Sequence, residues 1–348
     1  MSSSKPITII GGGLAGLTLG IGLRQRGIPA TVWEAGHYPR HRVCGEFVSG
    51  RGQKVLARLG LQKLFQAAGS VPANTVAFFS NQAGSPARRL PEPALCLSRF
   101  AMDDLLAKEF QRLGGELRDR SRWQEKSFDA DGLVRATGRR SQPTENGWRW
   151  FGLKAHARGV ALSADLEMHV ATNSYVGVGL TNGGAVNVCG LFRRRAHDAG
   201  SASVGLETLR GQPGTCLHER LASAVFDEKS FCSVAGLTLR PQRAVEHNEC
   251  CIGDALTMIP PVTGNGMSMS FESAEMAIEP LTNYSLGKIV WADARRSVAR
   301  HCDSAFARRL AWAEFLQWMM FNLLPRGVLG VAALRSEWLW RLMFSKTR

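Results

Sequence analysis

The sequence predicts an α/β chain in three parts. A nucleotide-binding unit opens it, an antiparallel β region occupies its middle, and a helical region closes it. Three observations predict this. Two glycine-bearing strand–turn–helix segments stand more than 230 residues apart, the stretch between them alternates in strand fashion, and tryptophan concentrates near the end. The 348 residues are 45% hydrophobic, enough for a sizeable core and against wholesale disorder. The formal charge of +14 favours an acidic partner. No zinc-finger spacing or basic run with interleaved aromatics accompanies it, so nucleic acid is not expected. The eight cysteines are scattered without a Cys-x-x-Cys pair or Cys/His ligand spacing. That speaks against a disulfide framework or a metal site and for a reducing compartment.

The first element is the β-branched run Ile7, Thr8, Ile9, Ile10, suited to a buried parallel strand. Gly11-x-Gly13-x-x-Gly16 follows at once. The first glycine permits a tight turn, the second lets backbone approach a pyrophosphate, and the third lets helix pack on strand. Leu14, Ala15 and the backbone N–H groups of the helix start would then face the phosphates. Leu17, Ile21 and Leu23 continue the apolar helix. A second strand, Ala30 to Trp33, ends in Glu34 and Ala35. Glu34 lies eighteen residues after Gly16, the spacing of a carboxylate on an adenosine ribose. FAD and NAD both satisfy this pattern. The glycines are placed for a loop, with no leader cleavage site after them, and no segment reaches the ~18 uncharged apolar residues of a membrane span. The expectation is a cytoplasmic chain.

The far segment runs from Cys250 to Leu281. A strand holding the Cys250–Cys251 pair ends at Gly253-Asp254, Pro260-Pro261 turns, and Gly264-Asn265-Gly266 opens a helix. This motif resembles the second FAD-binding motif of the para-hydroxybenzoate hydroxylase / geranylgeranyl reductase superfamily. The resemblance covers residues 1–290. It implies a Rossmann-like FAD-binding domain of the glutathione-reductase type, an antiparallel β substrate domain and a C-terminal helical region. The implied boundaries are 1–70 with 95–140 and 241–290 for the first, 71–94 with 141–240 for the second, and 291–348 for the third. It further implies a ribityl contact at Asp254 and a loop of Pro260, Pro261, Gly264, Asn265, Gly266 and Met267 against the isoalloxazine. A helix N-terminus there would stabilise negative charge on a reduced flavin. Arg99, after the N-cap candidate Ser98, is either a flavin or pyrophosphate contact or a solvated helix arginine. Thr137-Gly138 stands where hydroxylases of this superfamily carry Asp-Gly, a departure from the conventional NADPH-dependent pattern. Thr181 to Gly184 read as a hairpin turn.

His41 to Phe47, "HRVCGEF", resembles the cysteine-glycine segment of geranylgeranyl reductases. This implies Cys44 beside the flavin and Arg42 near the pyrophosphate or ring edge. Cys44 is a packing or substrate-facing residue, a proton donor or thiol with a tuned pKa, or a disulfide partner. Glu46 is an acid at the start of the following helix or an acid of the site, and the helix role is favoured. Tyr175, Asn187 and Cys189 are candidate cavity residues. His156 and His169 are candidate bases, with the structural role preferred for both. The Trp-x-Trp-x-x-Pro pattern of halogenases is absent.

Five of nine tryptophans follow residue 290: Trp291, Trp312, Trp318, Trp338 and Trp340, interrupted by Arg326, Arg335 and Arg341. This suits an interfacial helix at the inner membrane surface, a lipid-channel mouth, or a helical cap. The expectation is an FAD-dependent oxidoreductase, foremost a monooxygenase hydroxylating a hydrophobic aromatic, polyketide or quinone-type lipid, with NADPH or NADH as candidate donor. The rivals are a reductase of isoprenoid or alkyl double bonds and an FAD-containing peripheral membrane protein without turnover.

Overall fold

The computed structural model describes residues 4–322, apart from 82, 126, 140 and 198–204, together with Ser336 and Trp338. Strand β1 (Ile7–Ile10), helix α1 (Leu14–Arg24) and strand β2 (Ala30–Trp33) come first. A short β3 (Phe47–Val48), α2 (Arg51–Arg58) and α3 (Gln62–Ala67) follow. Strands β4 (Val71–Phe79) and β5 (Arg88–Cys96) lead to α4 (Arg99–Arg112), β6 (Glu116–Arg118) and β7 (Leu133–Arg135). Next are β8 (Trp148–Arg158), β9 (Leu166–Ala171), β10 (Ser174–Leu180), β11 (Val186–Arg195), α5 (Cys216–Arg220) and β12 (Val225–Ala235). The order ends with β13 (Cys250–Cys251), α6 (Gly266–Ser285) and α7 (Trp291–Asn322).

A five-stranded parallel sheet, ordered β13-β7-β1-β2-β6, carries the nucleotide-binding unit. Helix α1 is buried along almost its whole length, as a helix apolar on every face must be. Gly20 admits Phe110 of α4 and Gly22 admits Ile278 of α6. The Cys250–Cys251 pair is buried in β13 and is not joined in a disulfide.

The second sheet has eight strands, ordered β12-β8-β11-β10-β9-β4-β5-β3. It departs from the all-antiparallel expectation in one place: β4 pairs parallel with β9. A parallel pair needs a long crossover, and the chain between β4 and β9 supplies it by passing through α4 and the first sheet. Strands β10 and β11 form the expected hairpin, with Asn182–Gly184 at its tip. Asn182 Oδ1 there accepts the Ser98 N–H at 2.9 Å, which pins the hairpin to the start of α4. One face of the sheet buries Leu153, Ala155, Val176, Val178 and Val188 against Leu209 and Leu217.

The long helix α7 lies on α6 through a buried, two-pronged pair, Arg309 to Glu272 at 2.8 and 2.6 Å. Trp291 packs inward, as do Met320 and Phe321. Phe315 and Trp318 stack on the exposed side instead, with half-buried Trp312 edge-on to Phe315. Trp340, Arg326, Arg335 and Arg341 lie outside the described residues. Among the described residues no helix is long and apolar enough to cross a membrane.

Candidate active site

The first corner of the site is the turn after β1. Gly11 has φ +113°, and a side-chain carbon there would lie 2.2 Å from the Ala136 carbonyl oxygen. Only glycine fits. A side-chain carbon on Gly13 would meet nothing within 4 Å, so the start of α1 faces open space. Helix α1 has neither a side-chain cap nor an acid in its first turn. Its dipole and its first N–H groups are left for an anion. Glu34 accepts the Gly12 N–H at 3.0 Å and the Gly36 N–H at 2.7 Å, and pairs with Arg40 at 2.6 Å. Burial opposes its charge, but the Gly36 amide, Arg40 and Arg42 outweigh burial and hold its pKa below the usual carboxylate value.

The far motif closes against this corner. Gly253 has φ +60°, and a side-chain carbon on it would stand 2.8 Å from Ala15 Cβ. Segments more than 230 residues apart therefore touch. Asp254 keeps an accessible side chain, yet burial among protein groups pushes its pKa up against the opposing pull of Arg99 and Arg139. An accessible group walled in by protein lines a cleft. Pro261 starts a single turn, Gly264 takes a left-handed conformation, and Asn265 and Gly266 open α6 with Met267 buried behind them.

Arg139 is a residue that sequence reasoning missed. It lines a pocket with Asp254, Thr238, Arg240 and Thr257. Its Nε is buried without a hydrogen-bond partner. The signal was its place just past the carboxyl end of interior strand β7, where ligands of open α/β sheets bind. An orphaned guanidinium nitrogen, an open glycine and an uncapped helix start fit FAD. Gly13, Leu14, Ala15 and Arg139 would hold its phosphates, Glu34 a ribose, Asp254 the ribityl chain and the Pro261–Met267 loop the ring.

The segment His41–Phe47 runs between this cleft and the large sheet. The Phe47 ring fills the space beside Gly264, with Cζ 2.3 Å from where a side-chain carbon would be. Val43 packs on Gly152 of β8. Arg42 binds Asp103 at 2.9 Å and Glu34 at 3.4 Å. Both of these contacts are to carboxylates of the protein, and they tie Arg42 to the ribose-side acid Glu34. Arg99 grips fully buried Asp103 with two nitrogens at 2.9 Å, so it is not a solvated helix arginine. Ser98 caps α4 through the Ala101 N–H at 3.2 Å.

Cys44 is a half-buried thiol outside any disulfide. Burial pushes its pKa up, against Arg99. Of the readings open for Cys44, a thiol tuned downward is disfavoured, because desolvation outweighs the neighbouring Arg99.

Glu46 also departs from expectation. It is fully buried, with φ +59°, and does not serve the helix that follows it. It accepts the Arg99 N–H of α4 at 2.9 Å, meets Lys154 Nζ at 3.1 Å and His156 Nε2 at 2.7 Å. Burial works against its charge, but His156 and Lys154 hold its pKa below the ordinary value. Lys154 has no solvent access and lies 3.1 Å from His41 Nδ1. His156 is placed by a bulge in β12, where Ser230 Oγ takes its N–H at 2.7 Å. His156 thus belongs to a charged cluster and is not a lone strand histidine. His169 is structural: it binds Glu167 at 2.9 Å and stacks on Phe79.

The candidate cavity residues share the sheet face that carries Lys154 and His156. In register, Asn187 lies opposite His156, and Cys189 opposite Lys154. Asn187 Nδ2 donates to the Cys44 carbonyl at 2.9 Å. Further along, Tyr175, Trp150, Leu191 and Phe321 form an apolar cluster that reaches Met258 and Val262 of the flavin-loop region. The face is polar at one end and apolar at the other.

Residues 4–146 match the family described as FAD binding domain. No curated protein is a match. The fold is shared with several solved structures. The flavin-dependent brominase Bmp2 is 16% identical, with TM-score 0.75 over 98% of this chain and 92% of that one. PqsL, a probable FAD-dependent monooxygenase from Pseudomonas aeruginosa, is 14% identical, with TM-score 0.70 over 95% and 99%. A flavoprotein/dehydrogenase from Cytophaga hutchinsonii is 14% identical, with TM-score 0.71 over 92% and 87%. The chain therefore carries an FAD-binding domain over residues 4–146, and as a whole it shares the fold of these flavin-dependent enzymes.

Proposed function

We propose that the protein is a monooxygenase that hydroxylates a hydrophobic aromatic, polyketide or quinone-type lipid. The carrying observation is the divided sheet face. Trp150, Tyr175 and Leu191 offer an apolar bed beside the flavin loop, and Lys154, His156 and Asn187 offer polar groups at the other end. Bound FAD supplies the redox chemistry, with NADH or NADPH as donor. The protein's own work is positioning and charge control. The start of α1 and Arg139 bind anionic phosphate, the start of α6 favours negative charge at the ring, and the large sheet keeps water from the reacting centre.

A reductase of isoprenoid or alkyl double bonds is the second reading. It is favoured by one observation: Cys44 stays protonated and could donate its proton. The aromatic strip of Trp312, Phe315 and Trp318 supports a lipid-facing role for α7, testable by co-sedimentation with anionic phospholipid vesicles.

The deciding experiment supplies the holoenzyme with NADH or NADPH, isotopically labelled dioxygen and a long-chain resorcinol. Label in the product supports the monooxygenase. Flavin reoxidation without label, for this and a long-chain quinol, overturns it. Saturation of a polyprenyl substrate, lost in Cys44→Ser, would establish the reductase.

A further inference from the structure

On the face of the large sheet that carries Cys189 and Tyr175, one row of residues stays open. Strands β11, β10, β9 and β4 are neighbours, and their registers align Cys189 with Gly177, Gly177 with Met168, and Met168 with Phe78. All four are half-buried. The rows on either side are closed: Leu191, Tyr175 and Val170 are buried on one, Asn187 and Gly179 on the other. The glycines of this face make the same distinction. A side-chain carbon on Gly152 would press on Val43 at 2.8 Å, and one on Gly179 would press on Leu166 at 2.7 Å. One on Gly177 would meet only the carbonyl oxygens of Cys189 and Glu167, at 3.7 and 4.0 Å, and no side chain. Gly177 is not among the residues of positive φ, so its backbone does not demand glycine. A bare glycine inside a strand marks a place where something else approaches the backbone.

The row is apolar and runs past the cofactor loop. Met168 packs on the cluster that also takes in Met258 and Val262. At the β11 end, the Cys189 thiol interacts with that of Cys44, and burial pushes its pKa well up, so the sulfur there is neutral. Two residues along the same strand face, Asn187 keeps its Oδ1 buried without a hydrogen-bond partner. An orphan acceptor there suits the hydroxyl of a ring seated at this end. From Cys189 to Phe78 the row crosses three strand spacings, about 14 Å.

We propose that this row is a lane for the apolar tail of the substrate, and that Gly177 sets how much tail the lane admits. This rests on the aromatic or quinone-type reading of the substrate. The ring sits at the Cys189 end, by Asn187, and the tail crosses β10 and β9 over Gly177 and Met168 towards Phe78. Recognition along the lane is by apolar contact alone. Each methylene taken from water adds affinity, and the sulfurs of Cys189 and Met168 adapt to the shape of the chain.

The test reads binding alone. Oxidised holoenzyme is titrated with methyl-, propyl-, pentyl- and heptylresorcinol while the flavin absorbance is followed. In the wild type the dissociation constant is expected to fall about fourfold for each added methylene. Gly177→Val puts a side chain into the lane, and valine suits an interior strand, so flavin content should be unchanged. It should leave methylresorcinol binding as it was and weaken heptylresorcinol by about a hundredfold, the burial of some three methylenes. Gly177→Ala should fall between. A misfolded sheet would weaken all four probes alike. Absence of binding by every probe, affinity that ignores tail length, equal weakening of the methyl and heptyl probes in Gly177→Val, or unchanged heptyl binding in both variants each overturn the lane. Oxygen transfer is not read here, so failure leaves the labelled-dioxygen experiment to judge the monooxygenase.

Discussion

The two sides of the His41–Phe47 segment are built by opposite means. On the cofactor side, contiguous motifs do the work: a glycine turn, an uncapped helix start and a second loop that touches the first. On the sheet side, single residues from separate strands meet around Glu46. The first design depends on backbone shape and tolerates no side chain. The second depends on charge balance and tolerates no missing partner.

The comparison breaks most sharply at Glu46. Glu46→Ala leaves Lys154 buried and uncompensated and should cost about 3–5 kcal/mol, read as a lowered midpoint of denaturant unfolding. Replacing both partners, Glu46→Leu with Lys154→Met, should recover most of that loss. If the double variant is no better than the single, charge balance is not what holds this side. On the other side, Gly11→Ala forces backbone against the Ala136 carbonyl in a conformation alanine resists. A cost of about 1–3 kcal/mol and loss of bound flavin on gel filtration are expected; full flavin retention would contradict the close approach. Ser98→Ala removes one capping bond and should cost about 1 kcal/mol, visible as a small drop in Tm.

A separate effect is on pH dependence. The folded-state pKa of His41 is depressed from 6.5 to about 4. The unfolded chain therefore takes up a proton first as pH falls. The stability linked to His41 is fully present above about 6.5 and is lost as pH drops towards 4. His41→Gln should flatten the stability profile in that window. Glu46 contributes at lower pH, because its lowered pKa keeps its share until the carboxylate protonates. An unaltered profile in His41→Gln would show that the ring is not held neutral.

These two designs also explain what was legible. The strand, turn and helix around Gly11 to Gly16 carry their meaning in local spacing, and so do Gly253-Asp254 and the Pro261–Met267 loop. Glu46 does not. An acid before a helix-like run reads as a helix acid, and its partners are 53 to 110 residues away. Lys154 and His156 did leave a trace: two polar residues at i and i+2 amid the apolar middle of β8 share one face. The parallel β4–β9 pair and the placement of Arg139 beside Asp254 needed the fold, because neither follows from nearest neighbours in the chain.

The parallel sheet has a consequence for synthesis of the protein. Its edge strand, β13, is made from Cys250–Cys251, and it pairs with β7 more than 100 residues earlier. When a ribosome has completed residues 4–146, β7 still has one open edge, Ala15 lacks Gly253, and α1 lacks the α6 surface that covers it. Domains usually fold in the order they are made. This one must wait for nearly three hundred residues before its first thirty can settle, and until then a nascent chain carries an exposed strand edge and an uncovered apolar helix. Chaperone demand should therefore fall off only after α6 has emerged.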